Sequence, residues 1–168
     1  MTRITANNRG LGSLVESFVL ESSTVSKDGA FPVRVTADGE GISPALTWTD
    51  LPDRAVTLAL IVEDADSPTP IPLVHALVAN LTRQGALGEG DMNQRGDDLV
   101  IGRNSFFKQG WLPPDPPRGH GPHRYAFQAF ALDKILDLAP RFGRSSLIDA
   151  MKGHILGRSM LVATYERA

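Results

Sequence analysis

Residues 56–68 read Val-Thr-Leu-Ala-Leu-Ile-Val-Glu-Asp-Ala-Asp-Ser-Pro, an apolar run broken only by Thr57 that leads into three acids and a proline. An apolar stretch of this length, without polar alternation, is expected of a strand buried on both faces. Residues 73–81 and 125–132 have the same character, so the three segments are expected at the centre of a sheet. Shorter apolar runs at 18–20, 31–35, 46–48 and 161–165 would complete one or two sheets. The chain has 12 prolines and 16 glycines, and they fall between these runs without forming a low-complexity tract, as turns joining short strands do. The class is mainly β.

One helix is expected near residues 146–155. Ser146 and Asp149 have capping-box spacing, and Leu147, Ile148, Met151 and Ile155 recur on one face. His154 would lie in this helix, packed or capping. Residues 82–98 carry Gly85, Gly88, Gly90 and Gly96 among polar side chains and read as an exposed loop. Residues 110–121 differ, because Pro113, Pro114, Pro116 and Pro117 fix φ and lower the entropy cost of a defined shape. Such a loop can wall a pocket.

With 168 residues and 42% apolar content, the chain can bury a core as a single domain spanning 1–168, without disulfides or a structural metal. A formal charge of −2 gives no electrostatic footprint for nucleic acid. The absence of cysteine excludes thiolate chemistry and Cys-rich zinc sites and accords with the cytoplasm. Thr5, Asn7, Asn8, Arg9, Ser13 and Glu16 interrupt any apolar core of a secretory signal in the first 20 residues. No apolar run approaches the roughly 20 residues that span a bilayer. A soluble cytoplasmic protein without a transmembrane segment is expected.

Three groups could carry chemistry. Asp64 and Asp66 follow the first buried strand, where they either build a site or cap backbone amides in an Asx-type turn before Pro68. His75 sits inside an apolar run and is either a hydrogen-bonded core residue or a site imidazole. His123 stands where the proline-rich loop enters the strand at 125–132, and either binds a ligand or caps the strand end. His120 and His123 form an H-x-x-H with Asp115 nearby, but without a helix to hold the rings this is a poor metal signature, so no metal and no cofactor are expected. No Walker, G-x-S-x-G or dinucleotide fingerprint occurs in its required context.

In order along the chain, Asp28-Gly29, Pro32, Thr36-Ala37-Asp38-Gly39, Ser43-Pro44-Ala45-Leu46-Thr47-Trp48, Leu51-Pro52, Asp64-Ala65-Asp66-Ser67-Pro68, His75 before Asn80, Gly102-Arg103-Asn104, Gly121-Pro122-His123-Arg124-Tyr125 and Gly153-His154 resemble the phosphatidylethanolamine-binding protein family, in particular its bacterial Raf-kinase-inhibitor-like branch. The resemblance covers most of the chain. It implies a central antiparallel sheet flanked by a second sheet, and a shallow pocket that accepts phosphate, phosphoryl head groups or small carboxylates. Asp64, Pro68, His75, Pro117, His123 and Tyr125 are its implied lining, with Asp66 either at the site or ion-paired with a base. Two imidazoles and loop N–H groups would donate hydrogen bonds to the anion.

The departures from the family pattern bear on the same pocket. Ala65, Ser67 and Ala76 replace the usual residues, Trp111 stands where Tyr is common, Asp115 where Cys is frequent, and His120 where an acid is frequent. An added carboxylate at Asp115 would repel phosphate unless neutralised. The leading expectation is a small-molecule binding protein for an anionic or polar ligand. The alternative is an acid/base enzyme (isomerase, cyclase or hydrolase) using His75, Asp115 and His123. A regulatory role exerted through the surface comes third and rests on fold-level analogy. A homodimer is adopted from the family habit.

Overall fold

The computed structural model describes residues 4–12, 15–93 and 99–168. Among them are nine strands, β1 (Glu16–Ser17), β2 (Val19–Glu21), β3 (Leu46–Thr49), β4 (Thr57–Asp64), β5 (Leu73–Thr82), β6 (Ala86–Leu87), β7 (Val100–Ile101), β8 (His123–Leu132) and β9 (Ile155–Tyr165), and one α-helix, α1 (Arg144–Met151). The large sheet has the order β1-β9-β8-β4-β5-β7 and the small one β2-β3-β6. Within the large sheet β9, β8, β4 and β5 pair antiparallel, and the short β1 adds in parallel to β9. The fold is mainly β, with two sheets and a C-terminal helix.

The apolar run at 56–62 makes sense in this setting. β4 is buried at every position. Leu58, Leu60 and Val62 meet Leu20, Leu46, Trp48 and Leu87 of the small sheet in one core, while Ala59 and Ile61 face a second core formed with Leu147, Ile148 and Met151 of α1. At about 25 cal/mol per Å² of apolar surface removed from water, two such cores supply the main driving force for the fold.

On the α1 side Glu63 is fully buried, and a buried carboxylate is stable only with donors around it. It accepts from the Thr5 amide at 2.7 Å, the Thr5 hydroxyl at 2.9 Å and Gln128 Nε2 at 2.7 Å, and it pairs with the Arg144 guanidinium. These contacts tie the N-terminal segment and the start of α1 to the central strand.

Several expectations need correction. Residues 31–35 do not form a strand. Phe31 donates its amide to Thr164 and buries its ring, then Pro32, which has no N–H for a ladder, leads into a helical turn at Val33–Val35. The helix starts at Arg144 with Gly143 at its N-cap and no side-chain cap, so Ser146 lies inside it. It ends at Met151, before Gly153 at φ 79°, and Ile155 opens β9. His154 is therefore outside the helix, with Nδ1 2.9 Å from Asp133 Oδ1. Residues 82–93 are not merely exposed loop, because β6 and a turn at Asp91–Asn93 bury Leu87 and Met92. Gly96 and Asp98 lie outside the described residues. β9 is twice as long as the 161–165 segment that signals it, since its half-exposed residues carry little apolar pattern and are held by β8.

Replacing Arg144 by Met leaves Glu63 buried without its counter-charge. The expected loss is about 3 kcal/mol of stability, read from the urea midpoint at pH 7. An unchanged midpoint would show that Thr5 and Gln128 satisfy Glu63 unaided.

Candidate functional site

β4 and β8 are antiparallel neighbours with Asp64 opposite Tyr125, so the last residue of β4 and the first of β8 meet at one end of the sheet. Period-two alternation carries Asp64 to the face of Leu60 and Val62, and His123 to the face of Tyr125 and Phe127. Both thus point toward the space between the sheets.

His75 reaches that face by a different route. Leu77 and Ala79 face the α1-side core, and strict alternation would send His75 there too. The register instead slips between Val62↔Ala76 and Glu63↔Val74, leaving His75 as the extra residue of a β-bulge. A bulge re-aims a side chain and shifts the alternation beyond it. Val74 accordingly falls on the α1 side, while the His75 ring lies 5.0 Å from Tyr125 and 6.1 Å from Trp111 on the other.

The proline-rich loop closes over this end. It begins at Gly110, whose φ of 98° suits glycine and where an added Cβ would stand 2.6 Å from the Met92 carbonyl oxygen. The Leu112 amide donates to the His75 carbonyl at 2.8 Å, and His75 Nδ1 donates to the Leu112 carbonyl at 2.6 Å. The Ala37 amide holds Pro114 O at 2.9 Å. Beneath the loop is a cavity of about 300 Å³, with Asp64, His75 and His123 at its polar end and Leu73, Phe106 and the prolines among its apolar walls.

Asp64 and His123 are both buried. Asp64 Oδ2 accepts from His123 Nδ1 at 2.8 Å, and Oδ1 accepts from the Asp66 amide at 2.9 Å. His123 Nε2 is 3.3 Å from Nδ1 of the exposed His120. Burial holds the His75 imidazole below its ordinary range, partly offset by the Leu112 carbonyl and the Asp64 charge, so it is neutral at pH 7. Its Nε2 is buried and has no hydrogen-bond partner among the described residues.

Of the residues expected at the pocket, Asp64, Pro68, His75, Asp115, Pro117 and His123 line the cavity. Trp111 lies behind its wall, with Nε1 donating to Val35 O at 3.2 Å and the indole stacked on Phe127. Tyr125 sits under His75, fully buried, and burial followed by the Asp64 charge pushes its hydroxyl well above the ordinary range. Asp66 turns away to Arg124, accepting from the backbone amide and from Nε at 2.8 Å each. Asp115 is exposed and ion-paired with Arg167, which also holds Asp38 through Nε at 2.8 Å. Among the expected donors, the prolines have no N–H and both imidazole Nδ1 atoms are engaged inside the protein, while the buried Tyr125 hydroxyl has no partner among the described residues. Among the described residues no group of three His, Asp or Glu is arranged to hold a metal ion.

Sequence reading missed Leu112, Ala37, Phe106 and Arg167. Leu112 acts through backbone groups and carries no side-chain signal. Arg167 lies 52 positions from Asp115, and nothing local links the two.

This β-sandwich with an acid–imidazole cavity at one end can be compared with known proteins. The family model for phosphatidylethanolamine-binding protein matches residues 21–166. The chain is 36% identical over 151 residues to a UPF0098 protein of Methanothermobacter thermautotrophicus, covering 88% of this chain and 98% of that one. It is 37% identical over 153 residues to a UPF0098 protein of Chlamydia muridarum, again covering 88% and 98%. The crystal structure of a phosphatidylethanolamine-binding protein homolog from Chlamydia trachomatis superposes with a TM-score of 0.81 at 35% identity, over 91% of this chain and 99% of that chain. Escherichia coli YbcL has the same fold, with a TM-score of 0.81 at 23% identity over 90% and 99%. The chain belongs to the phosphatidylethanolamine-binding protein family. Its relatives include archaeal as well as bacterial proteins. Among the described residues no helix is long and apolar enough to cross a membrane.

The Arg124 guanidinium holds the Asp66 carboxyl below its usual range. The folded value is depressed, so the contribution to stability is full above the unfolded value of about 3.9 and is lost as pH falls through the folded one. Because Arg124 is 42% exposed at its side chain, Asp66→Asn is expected to cost about 1 kcal/mol or less at pH 7. Urea curves of wild type and variant should draw together as pH is lowered from about 4. A gap that persists at low pH would assign the loss to something other than this charge.

Proposed function

We propose that this chain is a small-molecule binding protein whose cavity at Asp64, His75 and His123 takes an anionic or polar ligand, such as phosphate, a phosphoryl head group or a carboxylate. The observation that carries this reading is His75 Nε2, a buried polar atom on the cavity wall with no partner among the described residues. Leaving such a group unsatisfied costs about 1–3 kcal/mol, which a bound ligand would relieve. The apolar walls and the few convergent polar groups suit a small ligand. Family membership supports the same reading.

The charge at Asp115 is offset by Arg167 at an exposed position, so it does not bar an anion. For the same reason the acid/base alternative lacks the third of its groups, and binding is the preferred reading. The proposal treats residues 1–168 as one domain and adopts a homodimer in the cytoplasm, with native mass spectrometry to count the subunits.

Calorimetry with inorganic phosphate at pH 6.5 tests the site. His75→Ala and His123→Ala should each weaken binding by about tenfold or more. Asp115→Asn should change affinity by less than about threefold, whereas Arg167→Gln, which exposes the Asp115 charge, should weaken it by about that factor. Wild-type affinity in both histidine variants would remove the site.

A further inference from the structure

In their neutral forms the two imidazoles present only lone pairs to the cavity. His75 Nδ1 faces the Leu112 carbonyl and His123 Nδ1 faces the Asp64 carboxylate. Carbonyl and carboxylate oxygens can only accept, so both Nδ1 atoms carry the proton and both Nε2 atoms, when the rings are neutral, are acceptors. His75 Nε2 meets no partner among the described residues, and His123 Nε2 has only the exposed His120 at 3.3 Å.

The Tyr125 hydroxyl, a donor likewise without a partner among the described residues, is buried under His75 and is not among the residues lining the cavity. The lining itself does little to offset these lone pairs. The amides of Ala37, Leu73, Phe106 and Leu112 are engaged by Pro114 O, Ser67 Oγ, Asn104 Oδ1 and His75 O. Pro68, Pro113, Pro116 and Pro117 have no amide hydrogen to offer. The charged and titratable groups around the imidazoles are Asp64 on β4, Tyr125 on β8, His120 and Asp115 on the loop, Tyr165 opposite His123 on β9, and the Asp66–Arg124 pair. Asp115 is paired with Arg167, and both Asp64 oxygens accept hydrogen bonds from within the protein, although beside a neutral His123 the Asp64 charge itself remains. An acceptor-only dianion entering here would meet two lone pairs and the Asp64 charge.

We infer that the cavity takes its anion in protonated form, as an oxyacid that still carries acidic O–H groups, and rejects fully ionised anions of similar size. The inference rests on the binding reading above and names the protonation state of the ligand. For phosphate, the dianion HPO₄²⁻ and one proton from solvent are bound together as H₂PO₄⁻. Its two O–H groups donate to Nε2 of His75 and of His123, and His120 yields its place. No covalent bond forms or breaks apart from that O–H.

The test is calorimetry of the full chain with inorganic phosphate and with sulfate between pH 6 and pH 8, in two buffers of different ionisation enthalpy. Phosphate should bind with net uptake of about one proton at the alkaline end, and its apparent affinity should fall by close to tenfold per pH unit there. Sulfate, a dianion without O–H, should bind at least about tenfold more weakly at pH 7. Phosphoethanolamine, a monoester whose monoanion keeps one O–H for one of the two Nε2 atoms, should show the same proton uptake and bind between phosphate and sulfate. Glycerophosphoethanolamine, the soluble diester of a lipid head group, has no acidic O–H and should bind at least about tenfold more weakly than the monoester. Nitrogen-15 NMR of the histidines in the free protein at pH 7 should show Nδ1–H tautomers at both positions. Sulfate binding equal to phosphate binding, or phosphate binding without proton uptake, would overturn the inference and leave the anion-binding reading intact. Diester binding as tight as the monoester's would overturn it in favour of a lipid head group. Failure of every anion at every pH would overturn both.

Discussion

β4 has neither a free edge nor a free face. β5 and β8 pair along its two edges, and apolar cores cover both sides. Any polar side chain it carries must therefore find its partners within the protein. At its end two carboxylates follow one another, and the pleat sends them to opposite faces. Glu63 draws in Thr5, Gln128 and Arg144, which stand 58, 65 and 81 positions away. Asp64 draws in His123, 59 positions away. The dryness of one strand thus organises the N-terminal segment, the start of α1 and the opening of β8.

The same constraint determines the chemistry at the cavity. An imidazole anchored through Nδ1 to a fixed acceptor loses its choice of tautomer, and this happens twice, through Leu112 and through Asp64. The proline-rich wall lowers the entropy cost of holding a shape but removes amide hydrogens from the lining. The result is a well-defined, donor-poor space, the opposite of a cradle of backbone amides.

Around this space the carboxylates are kept from acting as free charges. Asp66 is tied to Arg124, while Arg167 engages both Asp38 and Asp115. Tyr165 adds its hydroxyl to Asp38 at 2.7 Å. The bases that balance the rim come from β8 and from the residues after β9, so β8, which positions His123, also positions one of the counter-charges.

The sequence by itself determined the three central strands, because burial on both faces demands an unbroken apolar run, and the proline-rich wall, because proline acts on φ locally. It also marked Asp64, His75 and His123, since polar residues within or at the ends of such strands are conspicuous. It could not determine the face on which His75 lies: a one-residue bulge reverses the alternation, and the slip appears only in the pairing of β5 with β4. Nor could it locate the helix start, where Arg144 answers a buried acid from another element, or the full span of β9, whose half-exposed residues take their conformation from β8. The pairing of Asp115 with Arg167 and the tautomers of the two imidazoles were likewise decided only in the folded chain, because charge pairing and proton placement depend on atoms that distant segments bring together.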